Sequence, residues 1–83
     1  MTDLARTPSQ IGNLIRRARK LRGLSQSQLG EQAGLRQETI SLIETGHPAA
    51  KVETILAVLA ALALEFRIAP RMKGTADDLE DIF

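Results

Sequence analysis

The chain has 83 residues, 43% of them apolar, enough for one small core and one domain rather than two. It has no Cys, Trp or Tyr and a single His. This excludes a disulfide framework, a cysteine zinc finger, a thiol nucleophile and an aromatic platform for single-stranded bases. The net charge of +1 hides an asymmetry. Residues 1–36 carry seven basic and two acidic side chains, whereas residues 74–83 carry four acidic and no basic ones. That layout suits nucleic acid, and equally a solvated helix face followed by a solubilising tail.

Residues 1–6 show no periodicity and no apolar secretion segment. The run Thr7-Pro8-Ser9-Gln10 then predicts a helix start: Thr7 caps, Pro8 takes the first helical position and Gln10 completes a capping box. Ile11, Leu14, Ile15, Ala18 and Leu21 follow at helical spacing as one inner stripe, and Gly23 closes the helix. Arg16, Arg17 and Lys20 crowd the other face. The dipole favours bases near a helix C-terminus, which accounts for part of that cluster without any ligand.

Ser25-Gln26-Ser27-Gln28 is a second capping box, opening a short helix with Leu29 and Ala33 inward and Gly34 at its end. A third helix begins near Gln37, carries Ile40 and Ile43 on its inner side and stops at Gly46. Two short helices joined by a Gly-containing turn of about four residues make a helix-turn-helix. After the loop His47-Pro48-Ala49-Ala50, Val52, Ile55, Leu56, Leu59 and Leu62 mark a fourth helix. It is apolar nearly all round and so predicts burial on more than one side, at a subunit interface.

At Leu64 the period changes to two. Leu64, Phe66 and Ile68 alternate with Glu65 and Arg67 up to Pro70, which predicts one short strand. A lone strand is not stable, so its expected partner is its own copy in a second chain. Residues 71–83 form an acidic tail, expected to be flexible unless bound, with Leu79, Ile82 and Phe83 as apolar docking points. The longest apolar run, Ile55 to Leu64, is ten residues, too short to span a bilayer. A soluble cytoplasmic protein is expected, with residues 1–70 as the folded unit.

The stretch from Leu24 to Gly46 carries the functional signal. It reads Leu24, Ser25-Gln26 at a helix cap, Ala33-Gly34 at the turn, then Thr39-Ile40-Ser41 and Glu44-Thr45-Gly46. This pattern resembles the DNA-binding domains of the Cro and phage-repressor superfamily, over residues 9–62. The alternating run after the fourth helix further resembles HipB-type antitoxins. The resemblance implies an all-α fold of four to five helices, with a short C-terminal strand pairing across a homodimer. It also implies double-stranded DNA as a partner, no cofactor and no enzymatic activity. The chain's lack of a nucleophile–base pair, metal-ligand set or phosphate-cradling Gly loop agrees with that.

Only the N-terminal end and outer face of a recognition helix reach base edges. The candidates there are Arg36, suited to guanine O6 and N7, and Gln37, suited to adenine N6 and N7. Glu38 can accept from cytosine N4, but it also simply suits a first helical turn. Thr39 and Ser41 are hydroxyl donors suited to phosphate. Gln26 and Ser27 at the second helix, and Arg16 and Lys20 on the first, complete the candidate DNA set. In the superfamily the residue matching Gln26 braces the recognition helix and touches phosphate. The positions matching Arg19 and Glu44 form an internal salt bridge. Leu59, Leu62, Leu64, Phe66 and Ile68 are the candidate dimer interface.

The sequence also departs from the family pattern. Arg36 stands where the third helix usually has a Ser or Thr cap, Gly30 replaces an Ala, and Lys51 replaces the fourth helix's cap. A cation in place of a cap is unfavourable for folding, which points to a ligand at that spot. His47 is expected at the surface or near phosphate. Three readings follow. The first is a homodimeric repressor of a palindromic operator that is also the antitoxin to a HipA-type kinase. The second is a phage-type or restriction-control regulator without a toxin. The third is a protein-interaction module that has lost DNA binding.

Overall fold

The computed structural model describes residues 4–71. Four helices are present there: α1 (Pro8–Leu21), α2 (Gln26–Ala33), α3 (Gln37–Glu44) and α4 (Val52–Ala61). The Thr7 hydroxyl accepts from the Gln10 amide at 3.1 Å, and Pro8 leads α1. The Gln10 side chain accepts from the Arg6 amide rather than from Thr7, so the predicted box is displaced by one residue. The box at α2 forms as read. Ser25 Oγ accepts from the Gln28 amide at 3.0 Å, and Gln28 Oε1 accepts from the Ser25 amide at 2.8 Å.

One core holds the helices together. Ile15, Leu29, Ile40, Ile43, Val58, Leu59 and Leu62 are buried in it. α3 packs against α1 and α2, and α2 also packs against α4. Two glycines set the spacing. At Gly12 a Cβ would collide with the carbonyl oxygens of Ile43 and Glu44, so only glycine lets α1 lie against the end of α3. At Gly30 a Cβ would sit 2.7 Å from the Leu35 carbonyl oxygen. That explains the missing alanine: the turn folds back on α2, where the Leu35 amide donates to the Gly30 carbonyl at 2.8 Å. The turn is only three residues, Gly34 to Arg36, with Gly34 in the left-handed region at φ 72°.

One expectation about the core needs correction. Leu21 is not on the inner stripe; it is 83% exposed. It is the last residue of α1, and after the turn at Gly23 the half-buried Leu24 packs against the core in its place. Leu59 and Leu62, expected at a dimer interface, are 8% and 1% exposed within one chain, and Leu59 also lines the open groove beside Leu64 and Phe66. The large apolar side chains that α4 presents outward are Val52 and Leu56.

Beyond α4 the chain turns through Ala63, a non-glycine residue with φ 56°. Residues 64–70 have no regular secondary structure, and no strand occurs among the described residues. Leu64, Phe66 and Ile68 are exposed. The expected strand requires a second chain for its ladder. Together with Leu14 and Leu21 of α1, this segment lines an open groove. The tail positions Leu79, Ile82 and Phe83 lie outside the described residues. None of the helices among the described residues is long and apolar enough to cross a membrane.

Candidate nucleic-acid interface

The site is anchored inside the domain. Arg19 of α1 and Glu44 of α3 are both buried and form a two-pronged ion pair. Arg19 Nε donates to Glu44 Oε2 at 2.7 Å and Nη2 to Oε1 at 3.0 Å. Arg19 Nη1 donates to the Leu24 carbonyl at 2.8 Å, tying the α1–α2 connection to the same pair. Bidentate geometry and the third bond offset the desolvation of the charges. The hydrogen bonds that Arg19 donates to Glu44 hold its guanidinium above its usual pKa range, against the opposing effect of burial. No buried side-chain nitrogen or oxygen among the described residues lacks a partner.

From this pair a chain of amides runs outward. Gln26, half-buried at the first position of α2, donates from Nε2 to Glu44 Oε1 at 3.2 Å. Its Oε1 accepts from Gln37 Nε2 at 2.9 Å. Gln37 is exposed at the first position of α3. The sequence marked both glutamines and the ion pair. The resemblance implied the ion pair and a bracing role for Gln26, but not that the brace starts from Glu44 and ends on Gln37, because residues 11, 18 and 25 positions apart share no local spacing rule.

Arg36 stands exposed at the N-cap of α3 and makes no side-chain cap bond. The first turn of α3 therefore faces outward without a side-chain cap, with the dipole's positive end and a guanidinium together. Glu38 is exposed in that turn, and Thr39 and Ser41 are half-buried behind it. Ser25 is taken up by its capping box, and Ser27 is exposed beside it. Arg36, Gln37 and Gln26 thus share one corner of the molecule, where α3 begins against α2. Arg16 and Lys20 are exposed one turn from each other on α1. His47 is exposed, and its Nδ1 accepts from the Ala49 amide at 3.1 Å, a local loop brace.

The helix-turn-helix family model matches residues 15–68, about two thirds of the chain. The chain belongs to the helix-turn-helix family of the Cro and phage-repressor type. An uncharacterised helix-turn-helix-type transcriptional regulator of Sinorhizobium fredii, y4mF, is 35% identical over 68 residues, which are 82% of this chain and 90% of that protein. Among solved structures, HipB in complex with an O2 20-mer superposes with a TM-score of 0.77 at 25% identity, over 83% of this chain and 96% of HipB. HipB in a complex of HipA, HipB, O2 and O3 gives 0.76 at 26%, over 82% and 96%. The chain is a helix-turn-helix transcriptional regulator with a HipB-like fold, a DNA-binding protein rather than an enzyme. The match of the family model extends past α4 to residue 68, so the exposed Leu64, Phe66 and Ile68 belong to the family's domain and are not an appendage.

Proposed function

We propose that this chain is a cytoplasmic repressor that binds a palindromic operator as a homodimer and serves as the antitoxin to a HipA-type kinase. The observation that carries the proposal is the likeness to HipB across 82–83% of the chain, in structures that include HipA and the O2 and O3 partners. The uncapped N-terminus of α3, with Arg36 and Gln37 exposed on it, is the surface that enters the major groove. Arg36 reads guanine and Gln37 reads adenine. Thr39, Ser41, Gln26 and Ser27 contact backbone phosphates, with Arg16 and Lys20 as further charge contacts and Glu38 bordering the base edges. Two copies join through Leu64, Phe66 and Ile68, setting the recognition helices about 34 Å apart on the duplex. The acidic tail, through Leu79, Ile82 and Phe83, engages the kinase.

The test is titration of the duplex upstream of the chain's own gene at several salt concentrations. One dimer per palindrome, with affinity falling steeply as salt rises, is the expected result. Absence of binding at low salt rejects the operator reading. Phe66→Glu is expected to leave monomers in sedimentation, and an unchanged dimer rejects that interface. A regulator without a toxin remains the second reading, favoured by the y4mF relative, whose name describes a transcriptional regulator alone. Deletion of residues 74–83 separates the two when a HipA-type kinase is co-expressed. Loss of a kinase complex with DNA binding intact supports the antitoxin reading.

A further inference from the structure

The open groove between α1 and residues 63–71 combines two chemistries. One is apolar: Leu14 and Leu21 line it from α1, and Leu64 and Phe66 from the segment after α4. Leu21, Leu64 and Phe66 are exposed there, and large apolar side chains gathered in one open groove mark an interaction surface. The other is cationic. Arg6, Arg17, Arg67 and Arg71 line the same groove against one carboxylate, Glu65. Glu65 lies 3.6 Å from Arg67 with both side chains about three-quarters exposed, a pair too solvated to bind tightly. A matching occupant carries acidic and apolar side chains in one short stretch.

The chain itself contains such a stretch. Asp77-Asp78-Leu79-Glu80-Asp81-Ile82-Phe83 sets four carboxylates among three large apolar side chains, with no base, and lies outside the described residues. We propose that the groove is the docking site of this segment of the same chain. Arg71 lines the groove, and only residues 72–76 separate it from Asp77, a reach of at most ~20 Å. A tether that short holds the segment at an effective concentration on the order of millimolar, enough for a contact too weak to persist between separate molecules. The corner where α3 begins is a poorer seat. Its exposed side chains Arg36, Gln37 and Glu38 offer no apolar surface to Leu79, Ile82 and Phe83. A second copy presenting the same groove sets arginines against arginines, whereas the acidic segment complements them. Leu64 and Phe66 serve both this contact and the homodimer proposed above, so a docked segment weakens self-association. A kinase that takes Leu79, Ile82 and Phe83 must first draw them out of the groove.

The experiment compares amide NMR spectra of the full-length chain and of its Ile82→Ser/Phe83→Ser variant, at a concentration where sedimentation shows monomers. The amides of Leu14, Leu21, Leu64 and Phe66 are expected to differ between the two chains. In about 1 M salt, where charge attraction is screened, the wild-type signals are expected to move toward those of the variant. Differences confined to the neighbours of residues 82 and 83 overturn the proposal. Differences gathered at Arg36 and Gln37 overturn it as well, because they place the segment on the other cationic surface. Differences that fade on further dilution mean that another copy supplies the segment, and they also overturn it. Sedimentation then reads the competition. The variant is expected to dimerise roughly 3- to 10-fold more tightly, because its groove is no longer self-occupied. An unchanged dimer constant overturns the docking. Monomers at every concentration in both chains reject the homodimer reading instead, and the amide differences still decide the docking.

Discussion

α2 and α3 are neighbours of equal length, eight residues each, yet they begin in opposite ways. α2 opens on a complete capping box in which both Ser25 and Gln28 bond back to the chain. α3 opens on Arg36, with no side-chain cap and a cation at the positive end of the dipole. Local chemistry is thus satisfied at α2 and left open at α3. α3 is held from its other end instead, by Glu44 in the core and by the backbone of the turn that folds against Gly30. The contrast teaches where this fold places its stability and where it leaves donors for a ligand.

The strongest way to break the contrast is to cut the tether of α3. Glu44→Ala leaves the Arg19 guanidinium buried without its partner and removes the acceptor for Gln26. A loss of about 3–5 kcal/mol in unfolding free energy is expected, measured by urea titration. The pair itself adds no pH dependence from its arginine side in the neutral range. The folded pKa of Arg19 is raised, so its contribution is fully present below the unfolded value and is lost only as pH climbs through the folded one. Gly30→Ala comes next. Its Cβ meets the Leu35 carbonyl, a backbone atom that cannot swing aside, and about 1–3 kcal/mol is expected to be lost despite alanine's better helix propensity. A gain in stability in the same titration would show that the turn yields. Ser25→Ala removes the hydroxyl half of the box at α2, the bond from the Gln28 amide to Ser25 Oγ, and is expected to cost about 1–2 kcal/mol.

Much of this was legible because it is written in local chemistry. The caps at Thr7 and Ser25, the ends at Gly23, Gly34 and Gly46, and the helical stripes of α1 and α3 depend on residues a few positions apart. The Arg19–Glu44 pair was legible through family resemblance, since nothing local joins residues 25 apart. Periodicity misread Leu21 because it does not say where a helix leaves the core. Nor does it say whether one chain or two bury an apolar face such as that of Leu59 and Leu62. The hydrogen-bonded series from Glu44 to Gln37 was hidden for a related reason. It depends on how α2 crosses α3, which Gly30 and the three-residue turn decide together.

Arg36→Ser sharpens the contrast at its finest point, because it gives α3 the kind of cap that α2 already has. A serine hydroxyl there can accept from an amide in the first turn, and removing the guanidinium relieves its repulsion with the dipole. The expected change in stability is a gain of about 0.5–1 kcal/mol, small but of opposite sign to every substitution above. Affinity for the operator is expected to move the other way, with preference lost at the base pair next to the one read by Gln37. A gain in both stability and affinity would mean that Arg36 touches neither base nor phosphate. A loss in both would mean that the guanidinium supports α3 in a way its uncapped geometry does not display. Opposite signs, read from unfolding and from binding on one protein, are the outcome that a cap given up for a ligand requires.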